Sequence, residues 1–233
     1  GWPINVRESR LACQPEAFEP GHRRLARADG MSAVPKQLAL GLDVRLEHEV
    51  AAIECERGMV RVLCANGTSF EGDALVSAMS IAQSLALLEP LVERWPNAAG
   101  QIERMHRVEV IPVLTLIAGW PLDSPDPGFD AWHPLETTMI AAIYHDSAKR
   151  RAPRYRVLVV NARPAFSHEH LRSDPAEWAA ELQWELGELL GPWAARPAWT
   201  QAHRWEGGRV RNHDLLGQPE DFDPPSGGRI MVV

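Results

Sequence analysis

Three short stretches carry residues that could do chemistry. His203-Arg204-Trp205 is the most unusual of them. A tryptophan can stack on a planar ring, and an arginine can hold a phosphate or carboxylate through two parallel N–H bonds. In a strand His203 and Trp205 share one face and Arg204 takes the other. At most one of the tryptophan and the arginine therefore faces a given cavity. The plainer alternative is a core tryptophan beside a surface-paired arginine. Ser147 and Lys149 fall in a turn after a strand, where a lysine is ordinarily solvated. His168 and His170 flank Glu169 at a spacing that diverges on a helix. No further ligand accompanies them, so no metal is expected. Cys13, Cys55 and Cys64 form no CxxC pair, and no Ser/His/Asp or Cys/His arrangement has local support. Neither GxGxxG nor GxxxxGKS/T occurs, which leaves a self-contained Rossmann or P-loop nucleotide site unsupported.

The elements that must position these residues follow from periodicity and turn signals. Residues 5–7 and 10–12 read as short strands between prolines. After Asp29-Gly30, residues 31–42 read as a helix, with Ser32 as N-cap, Pro35 in the first turn and Gly41 at its end. The period then changes. Residues 44–46, 50–53, 60–63 and 74–76 are β-rich, with turns at Arg57-Gly58 and Asn66-Gly67. Residues 43–77 thus read as a strand, a three-stranded meander and another strand. Residues 80–88 read as a helix with Ser80 as N-cap and Pro90 beyond its end. Residues 108–118 form a β-branched run in which Pro112 marks an edge or bulge. Residues 119–137 read as a loop pinned by Trp120 and Trp132, and 150–154 as an exposed basic turn. Residues 138–144, 155–161 and 198–205 read as strands. Ser173-Asp174-Pro175 opens an amphipathic helix whose inner face is Trp178, Leu182, Leu186 and Leu189, ended by Gly191-Pro192. Residues 206–228 are loop-like, and 228–233 begin a strand. The class is α+β with mostly antiparallel sheet.

Composition narrows the partners. The 233 residues carry 24 Lys+Arg against 31 Asp+Glu, a net charge of −7. That length fits one large domain or two small ones and can bury a sizeable core. The acidic balance argues against a general nucleic-acid or anionic-membrane binder. Basic character is almost all arginine; lysine occurs only at Lys36 and Lys149. No apolar run approaches the roughly 18 residues of a spanning helix. With an odd cysteine count, the expected compartment is a reducing cytoplasm. The chain opens at Gly1 without an initiator Met and closes in an incipient strand, so a piece of a longer protein is expected.

A family resemblance rests on several segments. Gly30-Met31 through Leu38 precedes Val44-Arg45-Leu46 and Val50-Ala51-Ala52-Ile53, and the meander closes on Asp73-Ala74-Leu75-Val76-Ser77-Ala78. Together these resemble the middle of flavin-containing amine-oxidase-like proteins, specifically their bacterial renalase-like branch. His145-Asp146-Ser147-Ala148-Lys149 is similar to that branch's R-D-S-S-K-P. Phe166-Ser167 with His170-Leu171 before Asp174-Pro175 is similar to its F-S-x-x-H-L…D-P. Ala202-His203-Arg204-Trp205 matches its A-H-R-W. Asp29 stands where the family has the first glycine of GGM, Ser80 near its proline, and Arg150 in place of the proline after Lys149. The family's opening GxGxxG unit and closing Gly-Asp motif are not in the chain.

The resemblance implies an antiparallel-sheet substrate domain, residues 1–27 and 86–224. It also implies the middle part of an FAD-binding domain, residues 28–85 and 225–233, of p-hydroxybenzoate-hydroxylase-like topology, α/β when complete. FAD would be bound non-covalently, with Val50 beside the adenine through its backbone and Ala78 and Met79 beneath the cofactor. Lys149 would organise water or oxygen near flavin N5, and Trp205 would stack on a ring. Ser147, His203 and Arg204 would line the substrate side. The implied activity passes a hydride from a small amine or reduced, NAD(P)-derived dinucleotide-like substrate to flavin, then to oxygen; the chain by itself would be inactive. The alternative is a noncatalytic flavoprotein remnant or partner-dependent binding subunit. A carotenoid- or porphyrin-oxidising enzyme would share the FAD parts but calls for a longer, more apolar substrate region than these polar, Arg-rich strands.

Overall fold

The computed structural model describes residues 6–8, 26–92, 94–135, 137–211 and 218–233. Its elements run β1 (Val6–Glu8), α1 (Ala33–Leu38), β2 (Val50–Glu56), β3 (Met59–Cys64), β4 (Ser69–Gly72), β5 (Ala74–Ser77), α2 (Ile81–Val92), α3 (Ala99–His106), β6 (Val110–Trp120), β7 (Ala131–His133), β8 (Ile140–His145), β9 (Arg156–Ala162), α4 (Pro164–Glu169), α5 (Pro175–Leu190), β10 (Trp199–Val210), β11 (Glu220–Phe222) and β12 (Arg229–Val232). Two compact units form: residues 1–42 with 112–208, and residues 43–111 with 209–233. Relative to the sequence-based division, residues 28–42 fall with the six-stranded sheet, and 86–111 and 209–224 fall with the meander. Among the described residues no helix is long and apolar enough to cross a membrane.

The first unit is a six-stranded sheet in the order β1-β7-β8-β9-β6-β10. β1 joins β7 in parallel; the β7–β8, β8–β9 and β9–β6 pairings are antiparallel. Alternation sends Leu114, Leu116, Ala118 and Trp120 of β6 to one face, with Leu158, Val160 and Ala162 of β9 and Ile140 and Ile143 of β8. Helix α5 covers that face with Trp178, Leu182 and Leu186, all fully buried. Burying each such side chain contributes about 1.5–3 kcal/mol. The helix starts where its sequence signals say. Asp174 Oδ1 accepts the Ala176 N–H at 2.8 Å, Pro175 occupies the first turn, and Gly191 leaves the helix at φ 99°. Glu185 on the same buried face accepts the Ile140 N–H at 2.9 Å, so its carboxyl is not left without a hydrogen-bond partner.

The second unit holds a meander, β2-β3-β4, and a second three-stranded sheet, β11-β12-β5. β5 and β12 run parallel, and β11 returns antiparallel to β12. The hairpin turns differ in chemistry. Arg57 and Gly58 both take positive φ, 52° and 84°. At Asn66-Gly67 the Asn66 Oδ1 accepts from the Thr68 N–H and hydroxyl, an Asx-type turn. Helix α2 begins with a reciprocal capping box: Ser80 Oγ accepts the Gln83 N–H, and Gln83 Oε1 accepts the Ser80 N–H. Helix α3 docks through a two-pronged ion pair, Arg104 Nε and Nη2 to Glu220 at 2.7 and 2.6 Å. Ile53, Val60, Leu88, Met105, Phe222 and Ile230 share the core.

Several sequence expectations change. The helix over 31–42 shrinks to Ala33–Leu38, because Ser32 itself takes helical angles and its side chain caps nothing. Residues 44–46 form no strand; Val44 and Leu46 are exposed, and Glu47 at φ 60° interrupts an extended path. Pro90 lies inside α2 rather than beyond it. Pro112 sits in β6, which is interior to the sheet, not at its edge. The proline is tolerated because the β6–β9 register begins only at Thr115. The 119–137 loop contains β7, and 206–228 contains the end of β10 and all of β11. Residues 10–12 lie outside the described residues.

One contact makes a stability prediction. Gly227 has φ 86°, and a Cβ there would lie 2.6 Å from Gly58 Cα, backbone against backbone. Gly227→Ala is expected to lower stability by about 1–3 kcal/mol. At Gly100, in α3, the same change meets only Arg104 Nη1 at 3.7 Å and should be neutral or slightly stabilising. Thermal unfolding of both variants checks the contrast; equal melting temperatures would refute it.

Candidate functional site

The face of the six-stranded sheet opposite α5 carries the side chains that could meet a ligand. Alternation brings Val113, Thr115, Ile117 and Gly119 of β6 to it, with Val157, Val159 and Asn161 of β9. These central strands put no charged side chain on this face. Thr115 donates its hydroxyl to Asn161 Oδ1 at 2.9 Å across the β6–β9 ladder. Farther along the sheet, His133 of β7 meets Tyr144 of β8 edge-on at 5.9 Å.

Strand β10 supplies the other edge. Its register is set at one end by Trp199, whose indole occupies the space a Cβ on Gly119 would need. At the other end Gly208 approaches Val113: a Cβ there would lie 2.7 Å from Val113 Cγ2 and 3.1 Å from Trp205 Cβ. His203 and Trp205 stack at 6.0 Å with planes 23° apart, so they share a face, and Trp205 remains 54% exposed. Arg204 takes the opposite side and donates to the Ser173 carbonyl at 2.7 Å. Trp205 is therefore not a core residue. Arg204 is committed to a loop carbonyl away from the histidine and tryptophan.

Ser147 and Lys149 lie elsewhere. They belong to the short 3-10 turn Asp146–Lys149 after β8. Ser147 is buried, and its Oγ accepts the Val157 N–H at 3.0 Å, stitching the turn to β9. Lys149 Nζ sits 2.6 Å from Asp146 Oδ1, and Arg150 Nη2 lies 2.7 Å from Asp146 Oδ2. Burial works to raise the Asp146 carboxyl, but bonds from Lys149 and Arg150 outweigh it and hold the group below the usual carboxylate range. Arg150 Nη1 in turn fills the space beside Gly30, 2.7 Å from where a Cβ would stand. Val157 pairs with Gly119, whereas Trp205 neighbours Gly208 and Val113. The two landmarks on β6 are six residues apart (119 − 113), roughly 20 Å along a strand. Lys149 and Trp205 thus lie toward opposite ends of the sheet.

The remaining sequence candidates fall in the second unit. Val50 opens β2 and pairs with Cys64, and the register then shifts so that Ala51 has no partner in β3. Ala78 is exposed and Met79 half-buried just beyond β5, where the Val233 N–H reaches the Ser77 carbonyl at 3.1 Å. Burial pushes the Cys55 thiol up to about 11, which makes it a poor nucleophile near neutrality. Thr115 and Asn161 were not singled out from sequence. The available signal was a polar residue set among apolar ones, Thr115 within residues 113–118 and Asn161 after residues 157–160.

Comparison with known proteins places this architecture. A family model described as flavin containing amine oxidoreductase matches residues 8–226. The chain belongs to the flavin-containing amine oxidoreductase family. Solved structures agree on the fold. A protein provisionally named a protoporphyrinogen oxidase, from Exiguobacterium sp. 255-15, matches with TM-score 0.59 and 18% identity over 78% of this chain and 40% of its own. Cyclohexylamine oxidase from Brevibacterium oxydans IH-35A matches with TM-score 0.57 and 19% identity, over 76% and 38%. Wild-type putrescine oxidase bound to putrescine gives 0.58 and 17%, over 75% and 38%. The chain thus spans about two fifths of these structures' length. No curated protein sequence matches it. The α+β class expected from sequence, a partial flavin-binding fold, agrees with these neighbours.

In this member of the flavin-containing amine oxidoreductase family the Asp146 cluster makes a pH prediction. A carboxyl depressed in the folded state adds stability that is present above its unfolded value and is lost as pH falls through the folded one. Asp146→Asn should therefore melt at a lower temperature than the parent at neutral pH. The gap should close as pH drops from about 4 downward. Melting curves from pH 7 to 2.5 test this; a gap that persists in acid would contradict it.

Proposed function

We propose that the chain forms part of an FAD-dependent oxidoreductase of the renalase-like branch. A small amine or reduced, dinucleotide-like molecule is its hydride donor. The observation that carries the reading is the uncharged face of the six-stranded sheet, edged by the stacked His203–Trp205 pair. Such a surface suits a planar, weakly charged substrate: the indole stacks on it, the apolar Ile117 and Val159 exclude water, and Thr115 and Asn161 supply polar contacts. The first unit is then the substrate domain, and the second is part of the FAD domain. Ser147 and Lys149, tied to Val157 and Asp146, serve this reading as supports of the sheet's far end rather than as reacting groups.

The residues present fit one part of FAD. β2 lies at the edge of its sheet, and the irregular register at Ala51 leaves backbone groups beside Val50 outside the ladder. An adenine edge asks for such groups. Ala78, small and exposed after β5, admits close approach. When bound, FAD accepts the hydride and passes the electrons to oxygen. For the pyrophosphate, the described helices offer little. The N-terminus of α2 is closed by Ser80 and Gln83, and that of α5 by Asp174. That observation also favours the second reading, a binding subunit that works only with further protein.

The 233-residue chain alone is therefore expected to show no FAD binding in the micromolar range by titration; micromolar binding would refute this. The full gene product, purified natively, should carry the yellow flavin band. Anaerobic mixing with an amine or a dihydronicotinamide should bleach that band. Trp205→Ala should slow bleaching about three- to tenfold with flavin content unchanged. A colourless product would overturn the enzyme reading, and unaltered bleaching would remove Trp205 from the substrate wall.

A further inference from the structure

We infer that Asn161 is a specificity-determining residue, positioned by Thr115, whose carboxamide N–H groups bind a carbonyl-type oxygen of the substrate. The inference rests on the reading of this sheet face as the substrate wall. Asn161 lies near the end of β9, on the face away from α5, and its backbone register is fixed opposite Thr115. The Thr115 hydroxyl donates to Asn161 Oδ1 at 2.9 Å, which anchors the carboxamide by its oxygen. The acceptor side is therefore engaged, and the amide nitrogen is left with two donors. Among the described residues that nitrogen makes no hydrogen bond, and Asn161 is only half-buried. Its neighbours on the face include Val113, Ile117 and Val159, which offer no acceptor side chain. These donors are therefore open to a ligand oxygen on a face whose neighbouring side chains offer none.

The chemistry selects among substrates. A carbonyl, carboxamide or carboxylate oxygen completes the Asn161 bonds. A protonated amine without such an oxygen turns donors toward donors, and these strands hold no carboxylate to offset its charge. A site built to hydrogen-bond one group discriminates against analogues that lack it.

Two one-ring probes separate the cases: benzamide, with an acceptor oxygen, and benzylamine, a cation without one. Each is titrated into the full flavin-loaded protein, read by flavin difference absorbance and independently by ligand-observed NMR. The parent should prefer benzamide. Asn161→Leu should weaken benzamide about tenfold and leave benzylamine within about twofold. Asn161→Asp, which keeps the shape, should invert the preference. Thr115→Val should weaken benzamide severalfold, and Thr115→Ser should restore it. Unchanged benzamide binding in Asn161→Leu, equal loss of both probes, or no benzamide binding by the parent would overturn the assignment. Failure of the flavin reading shows separately, as absence of the flavin band, and the NMR titrations still decide the role of Asn161.

Discussion

Successive side chains of β6 and β9 must leave on opposite faces of the sheet, and the rest of the first unit depends on that. Leu114, Leu116, Leu158 and Val160 face α5 and disappear into the core. Their neighbours are then compelled to the other side, whatever their type. That is why Thr115 and Asn161, two polar residues in apolar strands, meet across the ladder rather than at the surface. A one-residue slip of β9 against β6 would turn Asn161 toward α5 and bring Leu158 and Val160 out of the core. The energy of the buried face thus holds the geometry of the other one.

Two devices resist such a slip. Trp199 covers Gly119, a position where any Cβ would collide with the indole. Ser147 ties the turn after β8 to Val157, so the β8–β9 pair is clamped at the end remote from Asn161. The Asp146–Lys149–Arg150 cluster and the contact of Arg150 with Gly30 extend the same clamp. Lysine near a motif is easily read as a reacting group; here its ammonium is held by Asp146.

The second unit is organised by close backbone approach. Gly227 and Gly228 lie against Gly58 and Met59, which lets the 225–228 turn rest on the β2–β3 hairpin. The Ser226 hydroxyl donates to the Cys55 carbonyl at 2.8 Å, and the Gly58 N–H reaches the Ser226 carbonyl at 2.6 Å. Glycine-rich composition in residues 206–228 reads as loop in the sequence, yet part of it serves as packing surface. α3 escaped notice for a related reason. Its eight residues bury only Ile102 and Met105, too few for a helical period to stand out. The Arg104–Glu220 pair that docks it joins residues far apart in the chain.

Local signals alone determined a good deal of this protein. Asp174-Pro175 and Gly191 bounded α5, the period of Trp178, Leu182 and Leu186 named its inner face, and glycine turns bounded the meander. Those features depend on neighbours within a few residues. The tripeptide period also put His203 and Trp205 on one side, as their stacking bears out. Tertiary structure decided everything that requires strands distant in sequence to pair. It set Lys149 and Trp205 toward opposite ends of one sheet, turned Arg204 to a loop carbonyl, and joined Thr115 to Asn161 across 46 positions. Strand order is a property of pairing energies between remote segments, and no spacing within a segment encodes it.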